Sequence, residues 1–253
     1  MSSMLAKVVA AAGFAVIAAL LSLRFRLGLA REIGVAALRA GVQLAVVGAL
    51  IALVFRYPVL AFLFVTVMLT TAGLTAGSRV RGLPQARLRA LVAIAVPALG
   101  ATGLLLLVGA FDFTPRSGVP TAGILIGGAL TATTLTGRRL LESLVEDMDE
   151  IEARLCLGDD ARTALAPAVR RAVTNGLIPV VDQTRSVGLV TLPGTFVGLI
   201  LGGASPAEAA ATQLVVLLAL LAVELAAGLL LAELTQRAMI LPGERLVPLA
   251  IER

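Results

Sequence analysis

Seven long apolar stretches alternate with short polar ones, at roughly 5–23, 33–55, 58–77, 90–110, 118–136, 178–203 and 207–234. The hydrocarbon core of a bilayer is about 30 Å thick, and a helix rising about 1.5 Å per residue crosses it in about 20 residues. The pattern therefore predicts an all-α, polytopic membrane protein of about seven transmembrane helices, forming a single domain over residues 1–253. Only Arg56, Tyr57 and Pro58 separate the second stretch from the third. Ala204, Ser205 and Pro206 separate the sixth from the seventh, and Ser-Pro is a good helix start. Met1–Leu23 reads as a retained first helix, because Arg24 and Arg26 follow it instead of an Ala-x-Ala cleavage site.

One polar stretch, about 137–177, breaks the rhythm between the fifth and sixth spans. Its first half, RRLLESLVEDMDEIEARLCLG, sets Leu140, Leu144, Ile151 and Leu155 at near-helical spacing among acids. Its second half, DDARTALAPAVRRAVTNG, opens on an Asp pair suited to an N-cap. The stretch reads as two short helices broken at Gly158, and it is longer than a plain connection between spans requires. Two readings stand at this point. It is a solvated connector, or it presents Glu152, Ala153 and the turn at Gly158 to a soluble partner as a rigid knob. The tail around Arg245 is expected to lie clear of that knob.

Charge then orients the spans. Basic residues gather in alternate loops: Arg24, Arg26 and Arg31; then Arg79, Arg81, Arg87 and Arg89. Arg138, Arg139, Arg154, Arg162, Arg170 and Arg171 follow, and the tail adds Arg237, Arg245 and Arg253. The opposite loops hold only Lys7, Arg56 and Arg116. Cytoplasmic loops are the ones rich in Arg and Lys, so in the cell's inner (plasma) membrane the amino terminus is expected outside and the carboxyl terminus in the cytoplasm.

Composition agrees with lipid as the solvent: 58% of the residues are hydrophobic and the mean hydropathy is +0.99, against 45–50% apolar in ordinary soluble domains. The topological use of arginine accounts for the pI of 10.8, so membrane lipid and not nucleic acid is the expected partner of this charge. With no His and only Cys156, a resident zinc- or copper-type site is not expected, and neither is a cofactor. A Ser-His-Asp or Cys-His nucleophile is excluded. Lys7 is the only lysine, so no G-x-x-x-x-G-K-[ST] phosphate loop exists and nucleotide hydrolysis by that route is impossible. Nothing here reads as an enzyme.

The chemistry left over lies within the spans. Pro193 and Gly194 interrupt the apolar run after Asp182, Gln183 and Arg185, and Gly194, Gly198 and Gly202 repeat every four residues. That block is either a helix-packing face with a kink or a kinked helix lining a pathway, with Thr195 beside the break. Ionisable groups within spans usually face the bundle interior. Arg39 and Gln43 lie four apart on the second span, Gln213 near the outer end of the seventh, and Glu224 deep within it. Arg39 either pairs with Glu224 or reaches the inner surface by snorkelling.

Four segments, LRAGVQLAVVG (38–48), PTAGILIGG (120–128), EARLCLG (152–158) and GLVTLPGTFVGLILGGASPAEAAATQL (188–214), resemble the FetB-like (YbbM-like) permease subunits of ABC transporters, which are linked to iron export. The resemblance runs from about Leu38 to Gln236. It implies a homodimeric permease driven by a separate ATPase subunit, with a coupling helix around Glu152, Ala153 and Gly158. It also implies a cargo of iron or another metal cation, or a nucleotide sugar as in plant relatives. Arg39, Gln43, Pro193, Gly194, Thr195, Gly198, Gln213 and Glu224 are then the candidates for the translocation pathway. The segment EARLCLG departs from the importer EAA pattern by Arg154 in place of the second Ala, with the proline, Pro179, further on. Thr195, Phe196 and Val197 stand where relatives tend to carry methionines and a threonine. An ion-coupled secondary carrier and a membrane scaffold are the competing classes; the former calls for an inverted repeat and several intramembrane acids, and only Glu224 qualifies.

Overall fold

Helix ends in this chain fall where the local chemistry stops or starts a backbone ladder. The structure, a computed structural model, describes residues 2–247, with side chains from Met4 onward. The inside charge expected at Arg253 lies outside the described residues. In chain order the helices are α1 Ser2–Arg24, α2 Ala30–Arg56, α3 Pro58–Arg79, α4 Ala86–Leu107, α5 Pro115–Glu146, α6 Met148–Cys156, α7 Ala161–Ser186, α8 Gly194–Leu201 and α9 Pro206–Met239. A two-stranded antiparallel hairpin follows, β1 Ile240–Leu241 and β2 Arg245–Leu246. Proline opens α3, α5 and α9, where its missing N–H costs nothing. Ser205 caps α9 in a reciprocal box: its hydroxyl accepts from the Glu208 N–H, and the Glu208 carboxylate accepts from the Ser205 N–H at 3.0 Å.

Among the described residues six helices are long and apolar enough to cross a membrane: α1, α2, α3, α4, α5 and α9. The expected span at 178–203 is not one helix. Helix α7 stops at Ser186, residues 187–193 are non-helical, and α8 has only eight residues. Gly188 takes φ +89°, and Pro193 removes an N–H and pushes Leu192 out of the helical region. The expected kink at Pro193-Gly194 is thus a full break, with Pro193 as the N-cap of α8. The polar stretch also divides differently. Its first ten residues extend α5, the chain breaks at Asp147 as well as at Gly158, and its second half opens a 26-residue helix instead of a short one.

The chain divides into two compact units, Met1–Tyr57 and Pro58–Arg253. In the first, α1 and α2 pack through a turn in which Arg26 and Gly28 take positive φ. The buried Ser22 hydroxyl accepts from the Leu29 N–H at 3.0 Å and closes that turn. Phe14, Leu38 and Leu44 remain more than 70% exposed, as side chains facing lipid would be.

In the second unit, small residues set how the helices run. Gly73 and Gly77 of α3 face Leu91 and Arg87 of α4, so these helices are antiparallel. Gly123 meets Met68 and Gly137 meets Val80, so α5 runs parallel to α3; Gly128 meets Glu224 and Gly137 meets Leu231, so α9 runs parallel to α5. Helix α7 runs against both. A Cβ on Gly176 would lie 2.8 Å from the Thr136 Cα, and one on Gly228 would lie 2.9 Å from the Thr136 hydroxyl. Backbones approach this closely only where the side chain is a hydrogen, the usual basis of helix association in lipid. One end of the unit therefore collects the end of α3, the starts of α4 and α7, and the ends of α5 and α9. Val80, Leu83, Ala86, Leu140, Leu144, Ile151, Leu165 and Met239 pack there as one apolar cluster.

This packing is testable. Gly176→Val should cost about 1–3 kcal/mol by overpacking against Thr136. It should lower the thermal denaturation midpoint in detergent, whereas Gly100→Ala, which meets open space, should leave it unchanged or raise it.

Candidate functional site

Arg39 and Gln43 apart, the candidate residues fall into two places in the second unit, one at each end, with Glu224 between them. At the end rich in arginine, α6 is a nine-residue helix anchored on one side only. Ile151 is 2% exposed in the apolar cluster, while Glu152 and Ala153 face outward. Asp147 accepts a hydrogen bond from Arg171 of α7 and ties the start of α6 down; the carboxylate keeps the Arg171 guanidinium charged, its pKa pushed above the usual value. Arg154, which departs from the importer pattern, binds Glu150 at 3.0 Å and approaches Asp159 at 3.9 Å, so its charge is neutralised locally. The helix ends at Cys156, and Gly158 turns the chain with φ +100°, a conformation natural to glycine. Leu157 projects just before that turn and is 87% exposed. The sequence pattern gives it no role because it lies off the Leu140–Leu144–Ile151–Leu155 face; its one signal is a leucine out of register beside a glycine.

Helix α7 starts from a doubly held end. Asp160 accepts from the Thr163 N–H at 2.7 Å, as the Asp pair led one to expect, and Glu244 from the carboxy-terminal hairpin accepts from the Ala161 N–H at 2.7 Å. The Thr163 N–H is also the main reason that the Asp160 carboxyl lies below the usual carboxylate range. Arg162 binds Glu233 of α9 at 2.9 Å, and its carbonyl accepts from the Gln236 amide at 3.0 Å. The tail is not clear of the knob. Glu152, Met148 and Leu155 share a groove of about 520 Å³ with Glu244, Arg245 and Leu246.

The opposite end holds the break. Beyond Ser186 the chain turns through Gly188, whose N–H reaches the Thr191 carbonyl at 2.9 Å, and Pro193 caps α8. The Thr195 hydroxyl donates to the side-chain oxygen of Gln213, which is buried on α9. Thr184, Leu192, Pro193, Phe196, Gln213 and Leu217 lie around a cavity of about 440 Å³, mostly apolar with two polar side chains. The Gly194–Gly198 face packs against nothing: a Cβ at either position meets no atom within 4 Å. Among the described residues, then, neither of these two glycines marks a close helix contact within this unit.

Glu224 is 6% exposed and lies against Gly128, where a Cβ would come within 2.7 Å of its carboxylate oxygen. No cation among the described residues of the second unit forms an ion pair with it. Gln213 and Glu224 are eleven residues apart, about three helical turns, so they share one face of α9 but sit about 16 Å apart along it. Arg39 and Gln43 are exposed on α2 in the first unit. Among the described residues no group of three or more Cys, Asp or Glu side chains is placed to hold a resident metal.

The capping geometry carries a pH signature. A carboxyl whose folded pKa is depressed contributes stability above its unfolded pKa and loses it as pH falls through the folded value. Asp160→Ala should therefore lower the denaturation midpoint at pH 7. The gap from the unmodified protein should close as the pH drops below about 4.

Residues 5–240 match the model of the family described as "Uncharacterised protein family (UPF0014)". The rice "UPF0014 membrane protein STAR2" is 40% identical over 216 residues, 83% of this chain and 75% of the relative. The Arabidopsis "Protein ALUMINUM SENSITIVE 3" is 37% identical over 206 residues, 79% and 74% of the two chains. The Escherichia coli "Probable iron export permease protein FetB" is 31% identical over 224 residues, 88% and 86%. No solved structure matches the chain. Because that match runs over most of the chain and takes in the six long apolar helices, the chain belongs to the UPF0014 family of multi-pass membrane proteins, which includes an iron export permease relative.

Proposed function

We propose that this chain is the membrane-spanning permease subunit of an ABC transporter, that a separate ATPase subunit drives it, and that it exports iron or another metal cation. The observation that carries the reading is α6. A short helix stands at the arginine-rich end with Ile151 anchored and Glu152, Ala153 and Leu157 exposed. Such a helix transmits force because its base is fixed by Asp147–Arg171 and its tip carries an apolar side chain that a cleft can bury. The arginine-rich end lies in the cytoplasm on this reading, since twelve arginines from Arg79 to Arg245 crowd it, against Arg116 at the start of α5 and Arg185 at the end of α7. The chain has no phosphate loop of its own, so the energy comes from a partner, and the subunit is not itself an enzyme.

The cargo follows from the relatives and from the chemistry available. One relative is named for iron export and another for aluminium sensitivity. The candidate pathway supplies oxygen: the Glu224 carboxylate, the Gln213 amide and the Thr195 hydroxyl, with Pro193, Gly194 and Gly198 shaping the break. Hard cations take such ligands. Arg39 and Gln43 of α2 stand among the pathway candidates on the family resemblance alone, and two copies of the chain form the complete transporter.

The test has two arms. The purified chain should show no ATPase activity alone. Glu152→Arg and Gly158→Arg should insert normally yet weaken capture of the ATPase subunit by about 2 kcal/mol, roughly thirtyfold. Arg116→Glu at the other end should leave capture unchanged. Hydrolysis by a preparation free of partner, or normal capture by both knob variants, overturns the reading. For the pathway, Glu224→Gln keeps the volume but removes the charge; it should reduce cation efflux from loaded cells by about tenfold while leaving ATPase capture intact.

A further inference from the structure

We propose that the loop between α3 and α4 is a binding site for the phosphate headgroup of an anionic phospholipid. Arg79, Arg81, Arg87 and Arg89 fall within eleven residues, and no Asp or Glu occurs between Glu32 and Asp112. Elsewhere at the same end five arginines are spent on carboxylates, Arg139 on Glu142, Arg154 on Glu150, Arg171 on Asp147, and Arg162 and Arg237 on Glu233, while Arg138, Arg170 and Arg245 stand singly on elements that carry acids. Among the described residues none of the four loop arginines takes part in an ion pair. A cluster meant only to orient the spans would not need a shaped site, yet this one has it. Arg81 and Arg87 line a cavity of about 400 Å³ with Gly77, Leu83, Gln85 and Leu88.

The cavity is held rigid. A Cβ on Gly77 would lie 2.5 Å from the Arg87 Cα, so α4 begins pressed against α3 and Arg87 has a fixed root. Arg89 donates to the Pro84 carbonyl, and Gln85 turns the loop with φ +47°. Leu83 is buried beneath the loop as its apolar peg. Guanidinium groups take phosphate oxygens with strong charge-assisted hydrogen bonds, and two of them on one rim suit a phosphodiester.

Lipid rather than free phosphate is the occupant because of what adjoins the rim. Leu88 is 59% exposed in the wall of the cavity itself, and Leu74, one turn below Gly77, is 51% exposed. A soluble anion gains nothing from leucines; an acyl chain beneath a headgroup covers them. Basic pockets at the cytoplasmic ends of spans bind anionic headgroups by this combination.

The experiment uses the full chain, purified in detergent and mixed with equal amounts of phosphatidylglycerol and phosphatidylcholine, with bound lipid read by native mass spectrometry. The unmodified protein should retain phosphatidylglycerol over phosphatidylcholine by about tenfold. Arg81→Gln with Arg87→Gln should bring the ratio near one, and Arg139→Gln with Arg237→Gln should leave it unchanged. If the double glutamine variant fails to fold, Arg81→Lys with Arg87→Lys replaces it; it should keep a preference that is weakened but above one, because the charge stays and the bidentate geometry goes. Equal retention of the two lipids by the unmodified protein overturns the proposal. So does a ratio untouched by either loop variant, or displacement of phosphatidylglycerol by millimolar inorganic phosphate.

Discussion

The close approach of α5, α7 and α9 around Thr136 is the constraint on which the second unit depends. Thr136 fits between Gly176 and Gly228, and one residue on, Gly137 admits Val80 and Leu231. In lipid, apolar surface gives helices no net reason to associate, so packing contacts of this kind must hold them. Because α7 is pinned there, its start lies beside the ends of α5 and α9. Helix α6, strung between α5 and α7 by two short turns, is then left no place but the tip. The Asp147–Arg171 pair and the capping of Ala161 by Glu244 are consequences of that placement. As surface contacts they add direction more than stability.

The arginine-rich end has two characters. Around α6, α7 and the end of α9, Arg154, Arg162, Arg171 and Arg237 are paired with Glu150, Asp147 and Glu233, and the exposed surface offers a leucine. The α3–α4 segment itself carries no acid, and among the described residues its arginines form no ion pair, so the charge is left for something outside the chain. Both surfaces satisfy the same topological rule, since that rule counts arginines and ignores their partners. A neutralised knob suits docking by shape. An uncompensated basic rim suits an anion.

The opposite end shows why composition alone misjudged one span. The residues 178–203 are apolar enough to cross a membrane, but crossing also requires an unbroken ladder of backbone hydrogen bonds. Gly188 and Pro193 interrupt it, and the chain satisfies some of the freed groups locally, as with Gly188 and Thr191. Irregular backbone within a membrane is tolerated where it faces protein or a cavity, and this segment borders the cavity lined by Leu192, Pro193, Phe196 and Gln213.

The sequence by itself determined the features governed by local rules: six of the seven expected spans as membrane-long helices, proline and Ser-Pro starts, the Asp160 cap, the turn at Gly158 and the family. Each rests on hydropathy, dihedral preference or a short motif, and none needs a distant partner. It also marked Gln213, Thr195 and Glu224 as unusual, because polar groups in apolar runs are costly wherever they go. Only the tertiary structure decided what those groups meet. It joined Thr195 to Gln213 across eighteen residues, set Glu224 against Gly128, and brought Glu244 and Arg245 to the knob from the far end of the chain. It divided the arginines into paired and unpaired, too. The physical reason is common to all of these: a contact between distant segments depends on which helix faces small residues allow to touch, and that is a property of the packed helices together.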